Sequence, residues 1–270
     1  MSSFRNVTCL LVAAAGLLLP PTVQAASLSP LPVEDAALLP EGAAELRIGA
    51  AYSKGLSNLF HASQPDRELY ELPSASLRLG LGRRVEGQIA YSYLHLQEPG
   101  NDTWGSGDVF LACKVGLLRP TQKRGGLSFL TGVKLPNANY NEDLGTDEAD
   151  IYLSLLGVQP IGPVTFHLNL GMGILGDPRP CCSGQDDVLT YAFGVRIPLD
   201  AEKLVLLLGA AGQEKGELGI NDRGAVCYGL QYNWERIRLD LGGSIGYTTG
   251  SEDWGVKGGL TFPFELPSYD

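Results

Sequence analysis

From Val109 to Leu117 every second residue is apolar or sulfur-bearing: Val109, Leu111, Cys113, Val115 and Leu117. The alternate row is mixed, with Asp108, Phe110, Ala112, Lys114 and Gly116. This period of two marks a strand whose faces meet different surroundings. It recurs over 43–53, 72–82, 85–95, 107–118, 126–136 and 149–158. The second half repeats it over 163–175, 187–198, 203–212, 223–234, 236–247 and 253–264. No segment shows a helical period. Most of these twelve strands run near ten residues, the length of a tilted membrane-spanning strand, about 9–11.

The connections alternate as regularly as the strands. "GRRV", "QPIGP", "LDAEK" and "WER" are brief, with "RPTQKRGG" a somewhat longer member of that set. Between them fall "KGLSNLFHASQPDRELYE", "QEPGNDTWGSG", "NANYNEDLGTDEAD", "GDPRPCCSGQDD" and "QEKGELGIND". Short periplasmic turns and long external loops are the habit of an up-and-down outer-membrane barrel. With odd strands running outward, Tyr52, Tyr91, Tyr247 and Trp254 fall at external ends. Tyr232, Trp234, Phe262 and Phe264 fall at periplasmic ends. Two aromatic girdles fit the two membrane interfaces.

With no helix to cover either face, the apolar phase meets lipid and the polar phase meets a lumen. An Arg or Lys facing mid-membrane lipid costs about 2–4 kcal/mol, and the opposite phase carries too many charges for that. The predicted lumen-lining set is Arg78, Glu86, Asp108, Lys114, Lys134, Asp150, His167, Arg196, Arg238, Asp240 and Lys257. Opposite charges on neighbouring strands can brace the wall; the same charges can tune which solutes pass. Strand 203–212, "KLVLLLGAAG", is apolar in both phases, and its alternation does not assign lipid and lumen faces. Twelve strands lie between the eight that side chains fill and the 16–18 of open porins, so a narrow or partly blocked pore is expected.

The ends set the compartment. "MSSFRNVTCLLVAAAGLLLPPTVQAAS" has one basic residue, a short apolar run broken by Pro20-Pro21, and small residues near Ala25. That is the layout of a secretory signal peptide, and the expected division is 1–25 cleaved, 26–42 a periplasmic leader, 43–264 the barrel and 265–270 a tail. The last strand closes on Phe264, as terminal strands of outer-membrane barrels do, although "ELPSYD" follows it. A formal net charge of −10 argues against a nucleic-acid partner, since phosphate binding needs basic patches. Glycine at 35 residues and tyrosine at 11, against 2 methionines, suit strands and turns.

Metal and enzyme chemistry find little purchase. Cys113, Cys181, Cys182 and Cys227 have no paired metal spacing, and Cys181 and Cys182 are the candidates for a disulfide in an oxidising compartment. The acidic stretches "NEDLGTDEAD" and "GQDD" lack a calcium-loop spacing and are expected to be solvated. His61, His95 and His167 are accompanied by no G-x-S-x-G stretch. No catalytic residue, cofactor or metal is expected.

The stretch "GSGDVFLACKVGLLRP", then "GVKLP", "LGT" and "FHLNLG" in that order, resembles the outer-membrane transporter family assigned to the meta-cleavage pathway of phenol degradation. "LLPEGAAELRIGAAYSKG" resembles that family's opening strand, and the likeness runs over most of 37–264. The resemblance implies an outer-membrane β-barrel passing hydrophobic or aromatic compounds. The expectation is therefore an all-β, antiparallel up-and-down transmembrane barrel of about 12 strands. It would be a passive or weakly selective transporter whose partners are outer-membrane lipids and small solutes. A structural or adhesive barrel working through its loops, and a lipid-modifying enzyme, are the alternatives.

Overall fold

A computed structural model describes residues 29–56, 67–176, 185–200, 202–214 and 222–267. Thirteen strands are present among them: β1 (Ala43–Lys54), β2 (Glu68–Gly82), β3 (Val85–Glu98), β4 (Asn101–Ser106), β5 (Val109–Leu118), β6 (Gly126–Leu135), β7 (Asp150–Ile161), β8 (Val164–Gly176), β9 (Gln185–Asp200), β10 (Leu204–Gln213), β11 (Arg223–Trp234), β12 (Ile237–Gly246) and β13 (Trp254–Glu265). Each pairs antiparallel with its neighbours, and β1 pairs with β13 from Ala43↔Glu265 to Lys54↔Trp254. The sheet thereby closes on itself as a twelve-stranded barrel. The strand count drops by one because β4 and β5 share one place in the wall. β4 pairs with the outer part of β3, and β5 pairs with its inner part.

The stretch "QEPGNDTWGSG", expected as a long loop, is this β3–β4 hairpin. Its turn is tight, with Gly100 at φ 86°, a conformation that glycine adopts without a steric cost. At the opposite end of the barrel, two-residue turns join Gly82 to Val85, Ile161 to Val164 and Trp234 to Ile237.

Alternation decides the faces. Leu168, Leu170, Phe193, Leu208, Leu230, Leu241, Val256 and Leu260 are exposed on the outside, Leu241 to 68%. An apolar surface of this extent requires a lipid solvent. Tyr232, Trp234 and Phe264 lie outward near one rim, while Tyr52, Tyr70 and Trp254 cluster at the other, with ring centroids 4.9 and 5.1 Å apart. The short turns lie at one end and the long connections at the other, as in an outer-membrane barrel.

Residues 29–42, expected within a periplasmic leader, run inside the barrel. Leu31, Val33, Ala36, Ala37 and Leu39 are buried there. The segment is too apolar to be left in water, and the inner wall supplies matching surface. Leu31 and Val33 pack with Ala192, Val205, Leu207 and Cys227, and Ala36 packs with Leu130, Leu156 and Val158. This also resolves β10. Val205 and Leu207 face inward against the segment, and Leu208 faces lipid. Both phases are apolar because both meet apolar neighbours.

The segment needs close approach to the wall. A side-chain carbon at Gly80 would collide with the Pro40 carbonyl. Gly80→Ala is therefore expected to lift the root of the segment while the barrel still forms. In a background where Cys113, Cys181 and Cys182 are serine, the buried Cys227 thiol should react with a maleimide at least about tenfold faster than without Gly80→Ala, as expected for a contact weakened by about 1.4 kcal/mol. Unchanged labelling would mean that the segment stays seated.

Candidate functional site

The inner segment, here the inner belt, follows the wall from strand to strand. Pro40 lies against Gly80 of β2, and the Leu39 N–H donates to Glu86 Oε2 of β3 at 2.8 Å. Lys114 Nζ of β5 donates to the Asp35 carbonyl at 3.0 Å, and Ser128 Oγ of β6 donates to the Ala36 carbonyl. Asn169 of β8 accepts from the Glu34 N–H at 2.8 Å and donates to the Glu34 carbonyl at 2.9 Å. Gln231 of β11 donates to the Ser29 carbonyl at 2.6 Å. Between these points Val33 sits by Gly194 of β9, Leu31 by Gly209 of β10, and Pro30 by Gly229 and Gly242 of β11 and β12. The belt thus passes along the wall from β2 round to β12.

Charged side chains brace this assembly. Lys114 is fully buried, with Nζ 3.1 Å from Glu86 Oε1 and 3.7 Å from Glu34 Oε2. Arg78 joins Glu86 at 2.9 Å to Glu45 at 3.0 Å, and Arg238 reaches Glu45 at 3.3 Å. Arg47 of β1 pairs with Asp240 of β12 through two hydrogen bonds, the shorter 2.6 Å. It crosses over β13, where a side-chain carbon at Gly259 would meet the guanidinium. These bridges link the first strand to the penultimate one across the seam where the barrel closes.

The mouth at the long-loop end is tied down separately. Lys134 Nζ lies 2.7 Å from Asp150 Oδ2, 3.5 Å from Asp108 Oδ2 and 2.7 Å from Thr146 Oγ1. Asp108 Oδ1 accepts from the Asn137 and Ala138 N–H groups, both at 2.9 Å. The loop after β6 is thereby folded back, and its Ala138 and Leu144 pack with Leu94 and Leu96 of the β3–β4 hairpin. Arg67 Nη2 donates to the Asp143 carbonyl at 2.7 Å.

The eleven expected luminal residues therefore stand in different surroundings. Glu86, Lys114 and His167 touch the belt; Arg78, Arg238 and Asp240 belong to the seam network. Asp108, Lys134 and Asp150 anchor the loop, and Arg196 pairs with Glu202 at the short-turn end. Lys257 stands apart from all of these. The expected luminal set did not contain Asn169, Ser128 and Gln231, which hold the belt, or Arg47 and Glu45 of the seam. Their signal lay in the leader, whose prolines and unalternated apolar residues suit a docked segment better than a solvated one.

His167 is buried with Nδ1 3.6 Å from Asp35 Oδ1, and neither ring nitrogen has a hydrogen-bond partner among the described residues. Among the described residues no hydroxyl lies within hydrogen-bond reach of its ring nitrogens, as the base of a triad would need. His95 stacks on Trp104 with centroids 3.9 Å apart and bonds Asp102 at 2.8 Å on the outside of the hairpin. His61, Cys181 and Cys182 lie outside the described residues. Cys113 and Cys227 are free thiols.

A closed, lipid-facing barrel with this interior defines the class: the chain is an outer-membrane β-barrel. It is similar in fold to the COG4313 outer membrane channel from Pseudomonas putida F1, with a TM-score of 0.67 and 15% identity over 85% of this chain and 98% of that one. The β domain of the Bordetella autotransporter BrkA aligns with a TM-score of 0.47 and 12% identity, covering 83% of this chain and all of that one. The CymD monoaromatic hydrocarbon channel aligns at 0.43 and 10% identity, covering 86% and 90%. No family model and no curated protein matches the chain.

Lys114→Ala would leave Glu86 buried without its lysine. Breaking one partner of such a buried pair costs about 3–5 kcal/mol. The expected result is a clear drop in the temperature at which the folded band disappears in heat-modifiability gels. A thermal midpoint equal to that of the unaltered protein would show that the belt carries no such energy.

Proposed function

We propose that the protein is a passive, narrow channel of the outer membrane for small solutes with an apolar or aromatic body. The observation that carries this reading is the belt itself. It occupies the lumen of a barrel already narrower than an open porin, and side chains of the wall hold it there. Free diffusion of large hydrophilic solutes does not suit such an interior. Apolar solutes would pass by parting the belt from the wall, where Leu31 and Val33 pack on Val205 and Leu207 and Ala36 packs on Leu130 and Leu156. The likeness of the sequence to the phenol-pathway transporter family supports the same solute class.

The channel reading is tested in planar bilayers and in cells. The purified protein should give single-channel events of small conductance, and removal of residues 29–40 should raise that conductance several-fold. Cells carrying the protein should take up a monoaromatic such as toluene faster than cells without it. Absence of both single-channel events and accelerated uptake would overturn the channel reading, leaving a barrel that acts through its external surface.

A further inference from the structure

The two halves of the belt are held in different ways. Glu34 to Leu39 is clamped through its backbone. Asn169 meets both backbone groups of Glu34, Lys114 and Ser128 donate to the Asp35 and Ala36 carbonyls, and Glu86 accepts from the Leu39 N–H. The preceding stretch, "PLPV" at 30–33, is built otherwise. Pro30 and Pro32 have no N–H to offer, and their fixed φ stiffens the chain. Among the described residues no hydrogen bond reaches Pro30, Leu31, Pro32 or Val33. The grip of this arm is apolar, with Leu31 and Val33 packed on Ala192, Val205, Leu207 and Cys227. At its tip the Ser29 carbonyl accepts from Gln231.

The wall beneath changes in step. Under the clamped half it presents polar side chains. Under the arm it presents glycine on four successive strands: Gly194 of β9, Gly209 of β10, Gly229 of β11 and Gly242 of β12. Gly194 and Gly209 are register partners, as are Gly229 and Gly242. A side-chain carbon at these positions would meet Val33 at 3.2 Å, Leu31 at 2.8 Å, and Pro30 at 2.6 and 2.4 Å, in that order. The arm thus fills a trough floored by bare backbone and flanked by Ala192, Val205, Leu207 and Cys227.

We propose that this trough is the solute path, opened when the arm of residues 30–33 swings off it about the Glu34–Asn169 pairing, and that its apolar flanks select small apolar bodies. The proposal rests on the channel reading and names the part of the belt that parts from the wall. A proline-rich arm turns as a stiff lever. Raising it gives up apolar contact and the tie at Ser29, which an apolar solute entering the trough replaces in part. Raising the clamped half would instead strand Lys114, Glu86 and Asn169 without their backbone partners. A hydrophilic solute would exchange water for hydrocarbon flanks and is disfavoured.

The test pairs Leu31→Cys with the native Cys227, in a chain whose Cys113, Cys181 and Cys182 are serine. Leu31 lies on Gly209, the register partner of Cys227. Copper phenanthroline, or dibromobimane where no disulfide forms, bridges the two thiols and pins the arm. Heat-modifiable gel mobility confirms that each variant folds. Toluene uptake should fall on bridging to the rate of cells without the protein, and reduction of the disulfide should restore it. Maleimide labelling reads the motion without transport. It compares Cys227, under the arm, with Leu156→Cys in a Cys227→Ser chain, under the clamped half at Ala36. With each rate normalised to the same thiol in unfolded protein, Cys227 should react at least about tenfold faster, as expected of a segment that opens locally. Undiminished toluene uptake through the bridged protein would overturn the path. Equal normalised rates at the two thiols would overturn the hinge, because the belt would then move as one piece. Faster labelling of Cys227 in a protein that gives no uptake even unbridged would keep the hinged arm and remove the channel reading.

Discussion

A chain segment inside a barrel has no sheet to join, because every strand of a closed wall already has two neighbours. Its amide and carbonyl groups must still be satisfied, since burying one without a partner costs about 1–3 kcal/mol. The rest of this interior depends on that constraint. Glu86, Lys114, Ser128, Asn169 and Gln231 answer it by presenting side-chain donors and acceptors to the belt backbone at Leu39, Asp35, Ala36, Glu34 and Ser29. Asn169 is especially apt, because its amide reproduces both halves of a strand pairing at one residue. The polar face of the wall is thus a substitute ladder as much as a water-facing surface.

Charge placement follows from the same need. A buried Lys114 is tolerable only with Glu86 beside it, and Glu86 in turn requires Arg78. The chain of pairs extends through Glu45 to Arg238, so the cost of desolvating Arg78, Glu86 and Glu45 is offset by two partners each rather than one. That network ends at the β1–β13 seam, where Arg47 and Asp240 add a second bridge. Holding the belt and closing the barrel are therefore parts of one electrostatic structure. Hydrophobic packing supplies the remaining grip at Leu31, Val33 and Ala36.

Much of this was legible in the period of two. The row Val109, Leu111, Cys113, Val115 and Leu117 faces outward, and Lys114 and Gly116 are buried inward, because one strand crosses between lipid and a packed lumen. The sequence-level pattern failed where an element had no period of its own. The leader "LSPLPVEDAALLP" neither alternates nor turns like a helix, so its docking could not be read from local spacing. Strand 203–212 was ambiguous for a related reason, since its inward Val205 and Leu207 match the belt and not water. The hairpin of β3 and β4 was hidden because its polar residues Asn101, Asp102 and Thr103 read as loop, although its inward Leu94 and Leu96 pack under the folded loop after β6. The luminal charges were legible as a face but not as roles, since pairing depends on strands distant in sequence.

The path of the belt is a consequence of where it is rooted. Its C-terminal end continues directly into β1, and at that root the Gly42 N–H donates to the Gly80 carbonyl. The chain therefore leaves β1 toward β2 and can line the wall in one sense only. Residues 29–40 span at most roughly 40 Å when extended, and their contacts reach β12 at Pro30. The contacts of these described residues fall on β2 to β12, and the last strand is bridged over its inner part by Arg47 and Asp240. The same connectivity that starts the barrel at β1 thus directs the segment that obstructs it.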